Sequence, residues 1–327
     1  MNTNTNTNTN PRSLRFFPVQ LFAVIMGVSG LTIAYAKAYH LLGLPYFIYE
    51  GLLFINTLLF LIIFTTYMFK WLIYPDAVKK EFLHPVKSSF MATISISFLL
   101  ISIAFYDYAP TLSIIFWYIG APLQFYFTIN ILSYWINSQF KEVHSNPAWF
   151  IPIVGNVLIP IVGIDCAPIY VSIFFFAVGV FFWIILFSIV MYRIIFHHPM
   201  AKKLIPTLFI MIAPPAVAFI SYFRITFGSI DMFSMFLYFI ALVTLFLLLF
   251  MIKKYDTTEY FISWWAYTFP MAAITIATTL LNMAFDNVFV FYGAYVLLFL
   301  TTAVVGFVAV KTIEAMRKQI ICIEEIE

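Results

Sequence analysis

Ten stretches of this chain are apolar for long enough to cross a bilayer: 16–39, 46–70, 87–106, 111–136, 147–164, 169–196, 204–226, 231–252, 261–284 and 287–310, numbered here as spans 1 to 10. A membrane helix needs about 20 apolar residues, so these runs leave little chain for anything except short loops. Span 5 is the most interrupted, with Pro152, Gly155, Pro160 and Gly163. A barrel is excluded, because its strands are alternating segments of about ten residues. Only 9% of the residues are charged and 64% are apolar, whereas a soluble domain is about a quarter charged and half apolar. A soluble enzyme is excluded on that ground. The expected fold class is an all-α integral membrane protein with the lipid bilayer as its solvent.

Basic residues sort to one side of these spans. Fifteen of the 17 fall before span 1, in every second loop, or after span 10, leaving Lys37 and Arg224 opposite. By the positive-inside rule that side and both termini are cytoplasmic, in a plasma membrane, or an inner membrane if the source is bacterial. The expected division is a disordered tail over 1–15, a transmembrane channel domain over 16–311 and a short cytoplasmic tail over 312–327. The opening MNTNTNTNTNPRSLR is a polar low-complexity repeat. It lacks the basic start and small-residue cleavage site of a signal peptide, so span 1 is expected to be retained. A net charge of +3 is too small to suggest nucleic acid. Cys166 and Cys322 fall on opposite sides of the membrane and form no metal-binding spacing. No phosphate loop, nucleophile–base arrangement or metal site is visible, and no cofactor is expected.

The opposite, outer side carries one acid per turn: Glu50, Asp107, Asp165, Asp231 and Asp286, spaced roughly 60 residues apart. Four of the odd spans hold prolines, with Pro18 in span 1, Pro152 in span 5, Pro214 in span 7 and Pro270 in span 9, while span 3 has only Pro85 at its start; the even spans hold only Pro122 inside. Proline in a membrane helix removes a backbone hydrogen bond and kinks the helix, and the freed carbonyl must meet protein or water. Kinked helices therefore belong inside. The expected architecture is five helical hairpins, with the odd helices forming an inner ring and the even ones an outer ring.

Mid-membrane positions hold almost no ionisable side chains, which argues against a pump or an acidic-ring cation channel. A path lined by hydroxyls and aromatic edges suits an anion that must not bind tightly. Ser89 and Thr93 on span 3, with Thr268 and Thr275 on span 9, are candidate lining residues. Arg15 and Lys87 sit where inner helices meet the cytoplasm; they form a positive vestibule or simply express the positive-inside bias. Arg224 attracts anions or snorkels to the interface. Asp107, Asp165 and Asp286 read as helix caps. His197 and His198 are metal ligands or pH sensors, or else a solvated helix end. Among 40 phenylalanines, Phe269 stands apart by preceding Pro270 in mid-membrane on a hydroxyl-rich span. Its alternatives are a pore role and ordinary packing.

The stretch Trp264-Trp265-Ala266-Tyr267-Thr268-Phe269-Pro270-Met271 resembles the span-9 signature of the plant guard-cell slow-type anion channels. It is also similar to the matching stretch of the TehA-like tellurite-resistance/dicarboxylate transporter family. His84-Pro85-Val86-Lys87, Trp149-Phe150-Ile151-Pro152 with Asn156, and Ala213-Pro214 resemble the family's other signatures in the same order, over roughly 16–311. The resemblance implies a pseudo-fivefold axis with odd helices lining one pore per subunit, and a homotrimer. It implies a selective anion conductance occluded by a phenylalanine, which matches Phe269, with a second pore aromatic at Phe90. The plant members' long regulatory tails have no counterpart in the short tails here. Two functions stay open: a gated passive channel for small inorganic or organic anions, and a secondary transporter or exporter of C4-dicarboxylates or of oxyanions such as tellurite or sulfite. The lack of buried charge for coupling favours the channel.

Overall fold

The computed structural model describes residues 13–251, 259–285 and 287–322. The expected disorder of the first twelve residues, the basic pair Lys253 and Lys254, and Asp286 lie outside them. Among the described residues the secondary structure is helical, with no strand. The α-helices in chain order are α1 (Phe22–Leu42), α2 (Tyr46–Ile73), α3 (Pro75–Phe82), α4 (Lys87–Met91), α5 (Thr93–Phe105), α6 (Pro110–Asn137), α7 (Ile151–Cys166), α8 (Ile169–Phe196), α9 (Ala213–Ile225), α10 (Met232–Met251), α11 (Thr268–Ala284) and α12 (Val288–Arg317). Nine helical segments among the described residues are long and apolar enough to cross a membrane, matching spans 1 to 8 and span 10. The protein is thus a multi-pass membrane protein. Span 9 does not reach that standard. With its 3-10 entry it runs from Ile262 to Ala284, long enough, but it is diluted by Thr268, Thr275, Thr278, Thr279 and Asn282.

Burial alternates along the chain. The segments containing α1, α5, α7 and α9 are 78%, 94%, 94% and 83% buried, whereas those of α2, α6, α8, α10 and α12 are only 22–39% buried. Every residue of α11 from Thr268 to Leu281 is buried as well. The exposed faces of the second group carry Phe54, Leu72, Phe250 and Phe289. Such surfaces are compatible with lipid rather than water. The packing partners follow an order: α1 contacts α5, α5 contacts α7, α7 contacts α9, α9 contacts α11, and α11 contacts α1 again.

The buried helices share a mode of entry. Short 3-10 segments lead into α1 (Val19–Leu21), α7 (Pro147–Phe150), α9 (Lys202–Ile212) and α11 (Ile262–Tyr267), while α5 is preceded by the separate turns of α4. The prolines expected as kinks mark these junctions. Pro18 caps the Val19–Leu21 turn, Pro152 and Pro214 are second in α7 and α9, and Pro270 is third in α11. The first amides of an α-helix have no intrahelical acceptor, so proline there removes no bond and fixes the start.

Close packing in lipid depends on small residues and interhelical hydrogen bonds, because lipid gives no hydrophobic drive between helices. Gly27 and Gly30 of α1 admit α11: a Cβ at Gly27 would stand 2.1 Å from Thr268 Oγ1, and one at Gly30 would stand 2.8 Å from the Ala272 Cβ. Polar groups join α5, α6 and α7. Ser95 donates to Gln124 Oε1 at 2.6 Å, Gln124 and Thr128 both donate to the Pro152 carbonyl at 2.8 Å, and Asn156 donates to Thr128 Oγ1 at 2.8 Å.

Candidate functional site

Two cavities lie among the buried helices, and one side chain lines both. The wide cavity, about 320 Å³, is near the C-terminal ends of these helices; Ile33, Leu100, Leu158, Val217 and Ala273 each represent one of the five in its wall. The narrow cavity, about 40 Å³, is near their entries and is lined by Gln20, Met26, Phe90, Thr93, Ile210 and Trp265 among others. Phe269 lines both cavities. Its ring position follows from local structure. The 3-10 segment Ile262–Tyr267 gives way to α11 at Thr268. Phe269 is the second residue of that helix, Pro270 follows it, and the glycine at position 30 lets its ring lie within 3.3 Å of where a Cβ would stand. It is 9% exposed.

Of the other residues singled out by sequence, Phe90, Thr93 and Pro270 line the narrow cavity with Phe269. Thr93 Oγ1 donates to the Phe90 carbonyl at 2.5 Å. Ser89, Thr268 and Thr275 line neither cavity. Thr268 donates to the Trp265 carbonyl at 2.6 Å, and Thr275 donates to the Met271 carbonyl and meets Thr301 Oγ1 of α12 at 2.8 Å. The Ser89 hydroxyl is buried. Arg15 is exposed on the Leu14–Phe16 turn and Lys87 is half-buried at the start of α4; neither lines the narrow cavity.

The walls are mostly apolar, and the polar groups of the wide cavity gather at its mouth: Lys37, His40, Tyr106, Asp107 and Arg224. Asp107 and Asp165, read from sequence as helix caps, have charged partners instead. Asp107 Oδ2 is 3.7 Å from Lys37 Nζ and 3.3 Å from His40 Nε2, while Asp165 pairs with Arg224. Arg224 does not snorkel freely; its Nε donates to the Ile161 carbonyl and its Nη2 to the Tyr106 hydroxyl, both at 3.0 Å. Sequence reasoning missed this grouping because the residues come from the ends of different helices roughly 60 positions apart; a basic residue on the acidic side was the available signal. Asp231 does cap its helix. It accepts the Ser234 amide at 2.9 Å, which, with the Tyr222 hydroxyl, holds its carboxyl below the usual carboxylate range.

Comparison with known proteins agrees with the signatures at Trp264–Met271. A family model described as voltage-dependent anion channel matches residues 16–313. The chain is 32% identical over 271 residues to the S-type anion channel SLAH2 of Arabidopsis thaliana, covering 80% of this chain and 52% of that protein. It is 29% identical over 314 residues to an uncharacterized transporter of Methanocaldococcus jannaschii, covering 88% and 92%. It is 23% identical over 304 residues to the tellurite resistance protein TehA homolog of Haemophilus influenzae, covering 92% and 91%. The chain spans about half the length of the plant relatives it matches.

Proposed function

The chain belongs to the voltage-dependent anion channel family, and from that premise we propose that it is a gated passive channel for small anions, with one path per subunit. The path runs along the five buried helices from the narrow cavity, on the cytoplasmic side, to the wide cavity outside. Ten spans arranged as five hairpins, odd helices within and even helices without, accommodate this path. The alternating burial and the returning order of helix contacts support that arrangement. The channel domain covers 16–311, with cytoplasmic tails at both ends.

One observation carries the reading: Phe269 lines both cavities and stands between them. An aromatic ring there blocks passage, while its electropositive edge tolerates an anion that slips past when it turns. Phe90 narrows the same entry from α4. The mostly apolar walls bind no ion tightly, which permits exit as well as entry. The relatives' names include anion channels and a tellurite-resistance protein, so oxyanions are among the candidate substrates.

Planar-bilayer recording of the purified protein tests the proposal. Phe269→Ala should raise chloride conductance about tenfold or more, the factor given by ~1.4 kcal/mol of barrier. Current should follow the anion gradient alone. An unchanged current would remove Phe269 as the gate, and a strict requirement for a proton gradient would turn the reading to a coupled carrier of dicarboxylates or oxyanions.

A further inference from the structure

The two cations at the mouth of the wide cavity are held very differently. Arg224 is locked by the Ile161 carbonyl, the Tyr106 hydroxyl and the Asp165 carboxylate. Lys37 is close to Asp107, but 3.7 Å is too long for a hydrogen bond between an ammonium and a carboxylate. His40 approaches the same carboxylate oxygen from the same helix at 3.3 Å. Lys37 makes no hydrogen bond to any described residue, so its ammonium protons are uncommitted. Tyr106 lies between the two cations, its ring centre 5.9 Å from Lys37 Nζ and 5.1 Å from the Arg224 guanidinium carbon. Below them the walls are apolar down to Phe269. Low-dielectric walls focus the field of charges at a mouth and raise the local concentration of counter-ions.

We propose that this mouth is a capture site for a small inorganic anion, in which Lys37 supplies the hydrogen-bonding donor, Arg224 a fixed positive field, and Asp107 a built-in competing counter-ion. The proposal rests on the channel reading for its purpose but not for its test. The arriving anion takes protons of Lys37 that Asp107 does not engage. The nearby carboxylate keeps the anion loosely held, so that it can leave. Asp165 keeps Arg224 in place and lowers its pull in the same way.

Chloride-35 line broadening of the detergent-purified protein, at one fixed pH, reads capture without needing conduction. Wild type should broaden the line in a saturable manner. Asp107→Asn should tighten the chloride titration and Lys37→Gln weaken it, each by about threefold, the size of a half-exposed charge pair. Lys37→Arg should retain capture, and Lys141→Gln, remote on the opposite side, should match wild type. Thermal melting confirms that each variant is folded. Absence of saturable broadening, or identical titrations for Asp107→Asn, Lys37→Gln and wild type, overturns the capture site even if Phe269→Ala conducts. Conversely, shifted titrations with no conductance from Phe269→Ala leave the capture site standing and overturn the channel.

Discussion

At the scale of single residues, hydroxyl content is a poor guide to what faces a cavity. Thr275 and Thr268 lie on a span rich in threonine, yet both satisfy backbone carbonyls of their own helix entry, and Thr275 also reaches Thr301. A hydroxyl without water nearby is worth more bonded than exposed to a greasy passage. Thr275→Val should therefore cost about 1 kcal/mol of stability, read by thermal melting, and leave chloride conductance of the Phe269→Ala background unchanged. Glycine tells the opposite story. Gly27 and Gly30 attracted no notice in the sequence, yet both lie where α11 crosses α1 at the position of Phe269. Gly27→Ala should destabilise the protein by about 1–3 kcal/mol, as overpacking does, whereas Gly51→Ala, with no atom within 4 Å of the added carbon, should be tolerated.

At the scale of elements, the C-terminal end of α2 is tied to the segment before α1. Lys70 Nζ is 2.8 Å from Glu81 of α3 and donates to the Phe17 carbonyl at 2.7 Å, and Tyr67 donates to Glu81 at 2.9 Å. The Lys70 and Glu81 side chains are only 2% and 10% exposed. The sequence marks Lys70 as one more basic residue beside a span; burial makes it a structural strut. Removing one partner of a buried pair leaves the other charge uncompensated, so Lys70→Met should cost about 3–5 kcal/mol, seen as a lowered melting temperature. Lys70→Met with Glu81→Leu should recover most of that loss, since an apolar pair of similar volume removes the stranded charge. The prolines belong to the same scale. Their positions were legible in the sequence, but their role as the first turn of α7, α9 and α11 depends on 3-10 segments that no periodicity announces.

At the scale of the whole molecule, the sorting of charge predicts sidedness. In a variant lacking Cys166 and Cys322, a cysteine at exposed Ser229 should react with an impermeant maleimide added outside right-side-out vesicles. A cysteine at exposed Gln139 should react only after the membrane is opened; the reverse pattern would invert the topology. The exposed aromatic faces of the even spans have lipid or neighbouring subunits to meet. The homotrimer implied by the resemblance should appear as three subunits by light scattering of the detergent complex, and a monomer would set it aside.

The amino-acid order alone determined that this is a multi-pass helical membrane protein, because runs of about 20 apolar residues have no other stable solvent. It also pointed to the buried spans, through prolines in four of them and hydroxyls in span 3, and to Phe269 through a local signature. Only the tertiary structure decided what those residues touch. The mouth cluster of Lys37, Tyr106, Asp107, Asp165 and Arg224 draws on positions up to 187 residues apart, and each cavity on positions 250 apart, brought together by helix packing. No local pattern encodes such a meeting, because the partner of a charge or a hydroxyl is set by which helix lies beside it.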